Sequence, residues 1–228
     1  MPKTPARRSS STEITRFLQK SRAITRFQAG KARLLFSLDA TASRQPTWDH
    51  ASHLQQEMFR AVQDNNALSV QLCYYRGFGE FHASRWTGDA QEITRAMARV
   101  HCEGGHTQIE RLLRHALAEH GQEKIRALVF IGDALEENPD TLCQLAGQCG
   151  LLQLPLFVFQ EGRQPAVEQC FRALARLSGG AWASFDQSSA ATLAALLRAV
   201  ASYATGGVAA LEKQGNESAK LLLQQIKH

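Results

Sequence analysis

The stretch FSLDATASR, residues 36–44, closes an apolar run with one carboxylate, Asp39, and sets hydroxyls two and four positions beyond it, at Thr41 and Ser43. Farther along, Thr107 lies in a Gly-rich turn before an amphipathic segment, and Asp133 ends the apolar run LVFIGD. All five side chains offer oxygen. A small divalent cation such as Mg2+ takes six oxygen ligands and usually keeps some of them as water. The D-x-T-x-S spacing lets one turn direct a carboxylate and two hydroxyls toward a common point, and the more distant threonine and aspartate can close that point from neighbouring loops. Two carboxylates offset the ion's charge while neutral hydroxyls fill much of the shell, so the ion keeps an attraction for one more anionic oxygen. An Asp or Glu of a partner can bring it. Each residue also has a plainer reading: Thr107 can cap its helix, and Asp133 can cap a turn.

The elements that must position these residues alternate. RLLFSLD reads as a buried strand, and WDHASHLQQEMFRAVQ, introduced by Pro46 and Asp49, reads as a helix. Strands follow at 68–75 and, short, near 80–84, then a helix around 89–100. HCEGGHTQIERLLRHALAEH is a Gly-rich turn opening a helix with Ile109, Leu112, Leu113, Ala116 and Leu117 on one face. Strand IRALVFIGD, helix PDTLCQLAGQCG, strand PLFVFQ, helix PAVEQCFRALARLSGG, strand AWASFD and helix SAATLAALLRAVASYA complete the series. Such alternation predicts an α/β domain: a doubly wound, mainly parallel six-stranded sheet with helices on both faces and one short antiparallel strand. In an open parallel sheet, ligand groups gather beyond the carboxyl ends of the strands, where strand order reverses. Asp39, Thr41, Ser43, Thr107 and Asp133 all fall on that edge.

The expected organisation is a basic arm or helix over 1–30, the α/β domain over 31–205 and a helical tail over 206–228, in two pieces because Gly215 and Asn216 interrupt it. Charge is uneven along the chain. The whole carries +5, but residues 1–33 alone hold nine Lys or Arg against Glu13. That arm suits an acidic partner, an anionic surface or nucleic acid; no aromatic platform or nucleic-acid motif accompanies it, which makes nucleic acid the weaker reading. No apolar run is expected to be long enough to cross a bilayer, and the basic start lacks a signal core, so the chain reads as cytoplasmic. Five cysteines without a C-x-x-C pair point to buried thiols rather than a disulfide framework or a zinc ribbon.

With FSLDATASR, GGHT and VFIGD in this order, the sequence resembles a von Willebrand factor A (VWA) domain over about 31–205. That family's metal-ion-dependent adhesion site (MIDAS) is written D-x-S-x-S, then Thr, then Asp. The resemblance implies a Rossmann-like sheet with Mg2+ or Mn2+ at its upper edge, held by Asp39, Thr41, Ser43, Thr107 and Asp133 and recruiting an acidic residue of a protein partner. It further implies a stand-alone bacterial cytoplasmic protein, possible adaptor to a chaperone or ATPase system, and no enzyme. Three departures stand out. Thr41 replaces a serine but keeps the hydroxyl, His106 adds a residue between the glycine pair and Thr107, and Ala134 follows Asp133 where the family often has glycine.

A catalytic rival is a haloacid-dehalogenase-like Mg2+-dependent phosphatase, for which GDALEE, residues 132–137, resembles the acidic metal loop. Its first motif needs a second Asp as general acid where this chain has Thr41, whose hydroxyl cannot do that work near neutral pH. The lysine it needs is missing too, since Lys124 falls at the wrong end of its strand. His50 and His53, three apart on the expected helix, lack further ligands for zinc. YYRGFGEFHASRW, residues 74–86, combines aromatics, arginine and glycine and reads equally well as a recognition rim or as strand core around a turn.

Overall fold

The computed structural model describes residues 31–44, 68–186 and 190–226. The expected basic arm or helix over 1–30, the expected helix over 48–63, and His50 and His53 lie outside the described residues.

Six strands form one sheet: β1 (Ala32–Asp39), β2 (Leu68–Arg76), β3 (Glu80–Ala83), β4 (Ile125–Gly132), β5 (Leu156–Glu161) and β6 (Ala181–Phe185), in the order β3-β2-β1-β4-β5-β6. Every pairing is parallel except β2 with β3. Among the described residues the helices are α1 (Ala90–Met97), α2 (Ile109–Gln122), α3 (Pro139–Leu151), α4 (Pro165–Ser178), α5 (Ala190–Gln214) and α6 (Glu217–Ile226). The expected α/β doubly wound sheet with one short antiparallel strand is the observed one. From β1 the chain winds outward to β2 and β3, then returns across β1 to β4 and winds the other way. Strand order therefore reverses between β1 and β4, which opens the crevice beyond their carboxyl ends.

Strand alternation sorts the core into two layers. Leu34, Phe36 and Leu38 of β1 face a cluster built with α1, α5 and α6, while Leu35 faces the cluster built with α2, α3 and α4. Full burial of side chains such as Phe36, Phe130, Phe157 and Phe171 supplies roughly 2–3 kcal/mol each in area terms. Helix ends follow their residues. The Asn138 side chain accepts the Asp140 N–H at 2.8 Å with Pro139 opening α3, and Gly179 at φ 75 closes α4 in the left-handed region.

By length and composition, residues 191–214 could cross a bilayer, contrary to the expectation that no run would. In the fold this helix turns Leu193, Leu196, Leu197 and Val200 onto the sheet and breaks at Gly207, whose φ is 66. It is the core helix of one face. The break between α5 and α6 falls at Gly215 and Asn216, whose Oδ1 accepts the Ala219 N–H at 2.8 Å. Helix α6 buries Ala219 and Leu222, and its Gln225 reaches the outer edge of β6: Oε1 accepts the Trp182 N–H at 2.9 Å, and Nε2 donates to the Trp182 carbonyl at 2.9 Å.

Candidate metal centre

Asp39 is the last residue of β1, on the same face of the strand as Leu35, and is fully buried. Its Oδ1 accepts the N–H of Thr41 at 2.8 Å. This Asx-type turn stops the strand and leads into a 3-10 turn over Ala42–Arg44. Thr41 Oγ1 and Ser43 Oγ stand 3.2 Å apart, the first buried and the second exposed.

The other oxygen of Asp39 has a partner that sequence reasoning missed. Tyr75, wholly buried, donates its hydroxyl to Asp39 Oδ2 at 3.1 Å. Parallel pairing of β1 with β2 puts Asp39 opposite Tyr75, and the ring stacks on Phe130 at 6.3 Å between centroids. Burial first, and the neighbouring Asp39 carboxylate next, push the phenol's proton affinity well up, so it stays a donor. Both carboxylate oxygens are thus oriented.

Asp133 follows the end of β4. The β1–β4 register pairs Leu38 with Ile131, so Asp39 and Asp133 leave neighbouring strands at the same edge of the sheet, Asp133 one position farther on. The side chain is half-buried, yet its Oδ1 is shielded from solvent and has no hydrogen-bond partner. A buried carboxylate oxygen without a donor costs about 1–3 kcal/mol or more unless something else answers its charge.

Thr107 is buried in the loop before α2. That loop is drawn to the Asp39 turn by a bridge between Thr41 and Glu103, with the Glu103 N–H donating to the Ala40 carbonyl at 3.0 Å. Gly105 lies directly on the backbone of Gly77, where any Cβ would collide with the Gly77 carbonyl, so this approach requires glycine. The extra residue, His106, fits by turning outward: its N–H donates to the Gly77 carbonyl at 3.2 Å and its ring stands at the surface beside Phe78, 5.2 Å between centroids. Phe78 is 84% exposed at the tip of the β2–β3 turn, whereas Tyr74 and Phe81 pack against the core. The stretch 74–86 is therefore core and rim at once.

The two glutamates of GDALEE are engaged with the backbone at the start of α2. Glu137 accepts the N–H groups of Ile109 and Glu110 at 2.6 and 2.7 Å and so caps α2, and Glu136 accepts the N–H of Thr107 at 2.9 Å. Lys124 sits at the opposite edge, 3.1 Å from His120. Among the described residues no three His, Cys, Asp or Glu side chains gather as a metal site, so an ion here must rely on hydroxyl oxygens beside Asp39 and Asp133. All five cysteines are free thiols, and burial pushes those of Cys149 and Cys170 up to about 11, which leaves them inert at neutral pH.

No protein-family model and no curated protein matches the sequence. Solved structures do. The VWA domain of SpRpn10 superposes with a TM-score of 0.58 at 14% identity, covering 71% of this chain and 94% of that one. An aerotolerance-related membrane protein from Bacteroides fragilis gives 0.54 at 15%, covering 70% and 95%. Proximal thread matrix protein 1 from the mussel byssus, with a zinc-occupied MIDAS motif, gives 0.59 at 11%, covering 75% of this chain but 46% of that one. At such identities the likeness is one of architecture. The strand order, the lone antiparallel strand and these superpositions together give the chain the α/β fold of von Willebrand factor A domains.

Proposed function

We propose that this protein is a metal-dependent protein-interaction module, which holds Mg2+ or Mn2+ with Asp39, Thr41, Ser43, Thr107 and Asp133 and captures a partner through that partner's Asp or Glu. The observation that carries the reading is the buried Oδ1 of Asp133, which lacks a hydrogen bond, at the sheet edge where Asp39 ends the neighbouring strand and the Thr41 and Ser43 hydroxyls lie 3.2 Å apart. A shielded carboxylate oxygen without a donor, on an edge that also carries a second carboxylate and hydroxyls, suits a hard cation. The zinc-occupied MIDAS of the byssus protein supports a divalent ion in this fold.

Bound there, the ion would supply a positive centre open to one more anionic oxygen. The chain's own part is orientation. Thr41 N–H and Tyr75 O–H fix the Asp39 carboxylate, and the Gly105–Gly77 contact brings in the Thr107 loop. Phosphoester hydrolysis has little support, because Thr41 stands where the acid is needed and Glu136 and Glu137 are engaged at α2. The basic arm, residues 1–30, adds a separate contact for an acidic partner, and we place the protein in the cytoplasm.

The test is a titration with Mg2+ and Mn2+ by calorimetry, followed by capture of partners from the native cell with and without a chelator. Metal binding and metal-dependent capture, both lost in Asp39→Ala while the protein stays folded, are the expected results. Capture unchanged by chelation and by that substitution would sink the reading.

A further inference from the structure

The acidic pair in GDALEE has no role in the reading so far beyond capping a helix, yet its contacts are unusually reciprocal. Glu136 Oε2 accepts the Thr107 N–H at 2.9 Å, and the Glu136 N–H donates to Thr107 Oγ1 at 3.1 Å. Two residues from different loops thus exchange side chain for backbone in both directions, as a capping box does within one helix. Glu136 Oε2 also meets His106 Nδ1 at 3.1 Å. Next to it, Glu137 fixes the N–H groups of Ile109 and Glu110. Two consecutive glutamates therefore tie the segment after Asp133 to the segment carrying Thr107.

A threonine hydroxyl is a weak ligand and must be aimed. Left alone, Thr107 would choose among staggered rotamers. The donor from Glu136 N–H selects the one in which Oγ1 faces the 133–136 segment. After accepting that bond, the hydroxyl keeps a second lone pair and its own proton. The same clamp fixes the spacing between the loops of Thr107 and Asp133, the two proposed ligands that do not share the D-x-T-x-S turn.

We infer that the Glu136 side chain is a positioning group of the metal centre: by accepting the Thr107 N–H it locks the Thr107 loop to the Asp133 loop and so holds Thr107 Oγ1 where the Glu136 N–H can orient it, acting by geometry and not by its charge. This rests on the metal-binding reading above. Such supporting contacts change metal affinity on the order of 10–100-fold when removed.

The experiment compares Glu136→Ala with Glu136→Gln in the full chain, by calorimetric titration with Mg2+ and by hydrogen exchange at the Thr107 amide without metal. Gln keeps an acceptor for the Thr107 N–H but lacks the charge, and Glu136 is exposed enough for both variants to fold. The expected result is Mg2+ affinity at least about tenfold weaker in Glu136→Ala, with faster exchange at Thr107. In Glu136→Gln affinity should stay within about threefold of the parent, the change expected from losing one screened charge. Equal losses in both variants would overturn the inference by showing that the charge acts, and an unchanged Glu136→Ala would overturn it by showing no role. A parent protein that binds neither Mg2+ nor Mn2+ would remove the metal reading and the positioning role together, a result visible before any substitution is made.

Discussion

Asp39 and Asp133 end neighbouring strands at one crevice, yet they are treated in opposite ways. Asp39 is enclosed and answered: a backbone N–H holds one oxygen and a phenol O–H the other. Asp133 is only half enclosed, and one of its oxygens is shut away from water without a donor. The first is built into the fold; the second carries a debt that a cation would settle. On the proposed reading, the first would be a ligand preformed by the sheet and the second one whose unanswered oxygen favours binding.

That contrast is most open to attack through the metal itself. At a hundred times the dissociation constant, Mg2+ should raise stability by about 2.7 kcal/mol, or roughly 5–10 °C in melting temperature for a chain of this size. Asp39→Ala and Asp133→Ala should both abolish that shift in scanning calorimetry; a shift that survives either change would remove that carboxylate from the shell. Without metal the two should part. Asp39→Ala strands the Tyr75 hydroxyl and the Thr41 N–H, and should cost about 3 kcal/mol in urea unfolding, whereas Asp133→Ala relieves an unanswered oxygen and should leave the protein at least as stable as the parent. Equal destabilisation would erase the distinction.

A finer cut is Tyr75→Phe, which keeps the ring on Phe130 and deletes only the donor to Asp39. A hydrogen bond to a charged group points to a loss of about 1.5–3 kcal/mol, measurable by the same unfolding. No loss would mean that the Tyr75 hydroxyl does not help to hold the carboxylate.

The smallest effect comes from the opposite edge and is needed to interpret any pH dependence. His120 is buried, accepts the Ile125 N–H at Nδ1 at 3.2 Å and meets the Leu152 carbonyl with Nε2 at 3.1 Å. Burial first, and Lys124 next, hold its pKa below the ordinary 6.5. The unfolded chain therefore takes up this proton at higher pH than the folded one. Its contribution to stability is complete above the ordinary imidazole value and is lost as pH falls through that value toward the folded one. His115, half-buried, is shifted the same way by burial. In His120→Gln, the fall in melting temperature between pH 7 and pH 5 should be shallower than in the parent.

Much of this was legible because it is local. Asp39, Thr41 and Ser43 lie within five residues, and a strand that must stop at a buried carboxylate leaves one easy way for the two hydroxyls to fall. The α/β alternation was equally plain, since each strand is a short apolar run and each helix shows its buried face at helical spacing. What escaped depends on distance in the chain. Tyr75 reaches Asp39 across 36 positions, through a β1–β2 register that no sequence window contains. Glu136 and Glu137 were legible as an acidic loop and misleading as chemistry, because what they bind is backbone N–H, which has no signature in side-chain spacing. Phe78, between two glycines, offered no cue to which of the neighbouring aromatics would be left outside.

The bonds from Gln225 to both backbone groups of Trp182 have a consequence for assembly. β6 is the border of the sheet, and a border strand normally presents free N–H and C=O groups that can recruit a strand from another molecule. A side-chain amide from α6 occupies that place with one donor and one acceptor, imitating a single residue of a seventh strand. Growth of the sheet by chain-to-chain addition is thereby obstructed at Trp182 on this side, and among the described residues the other border is the four-residue β3.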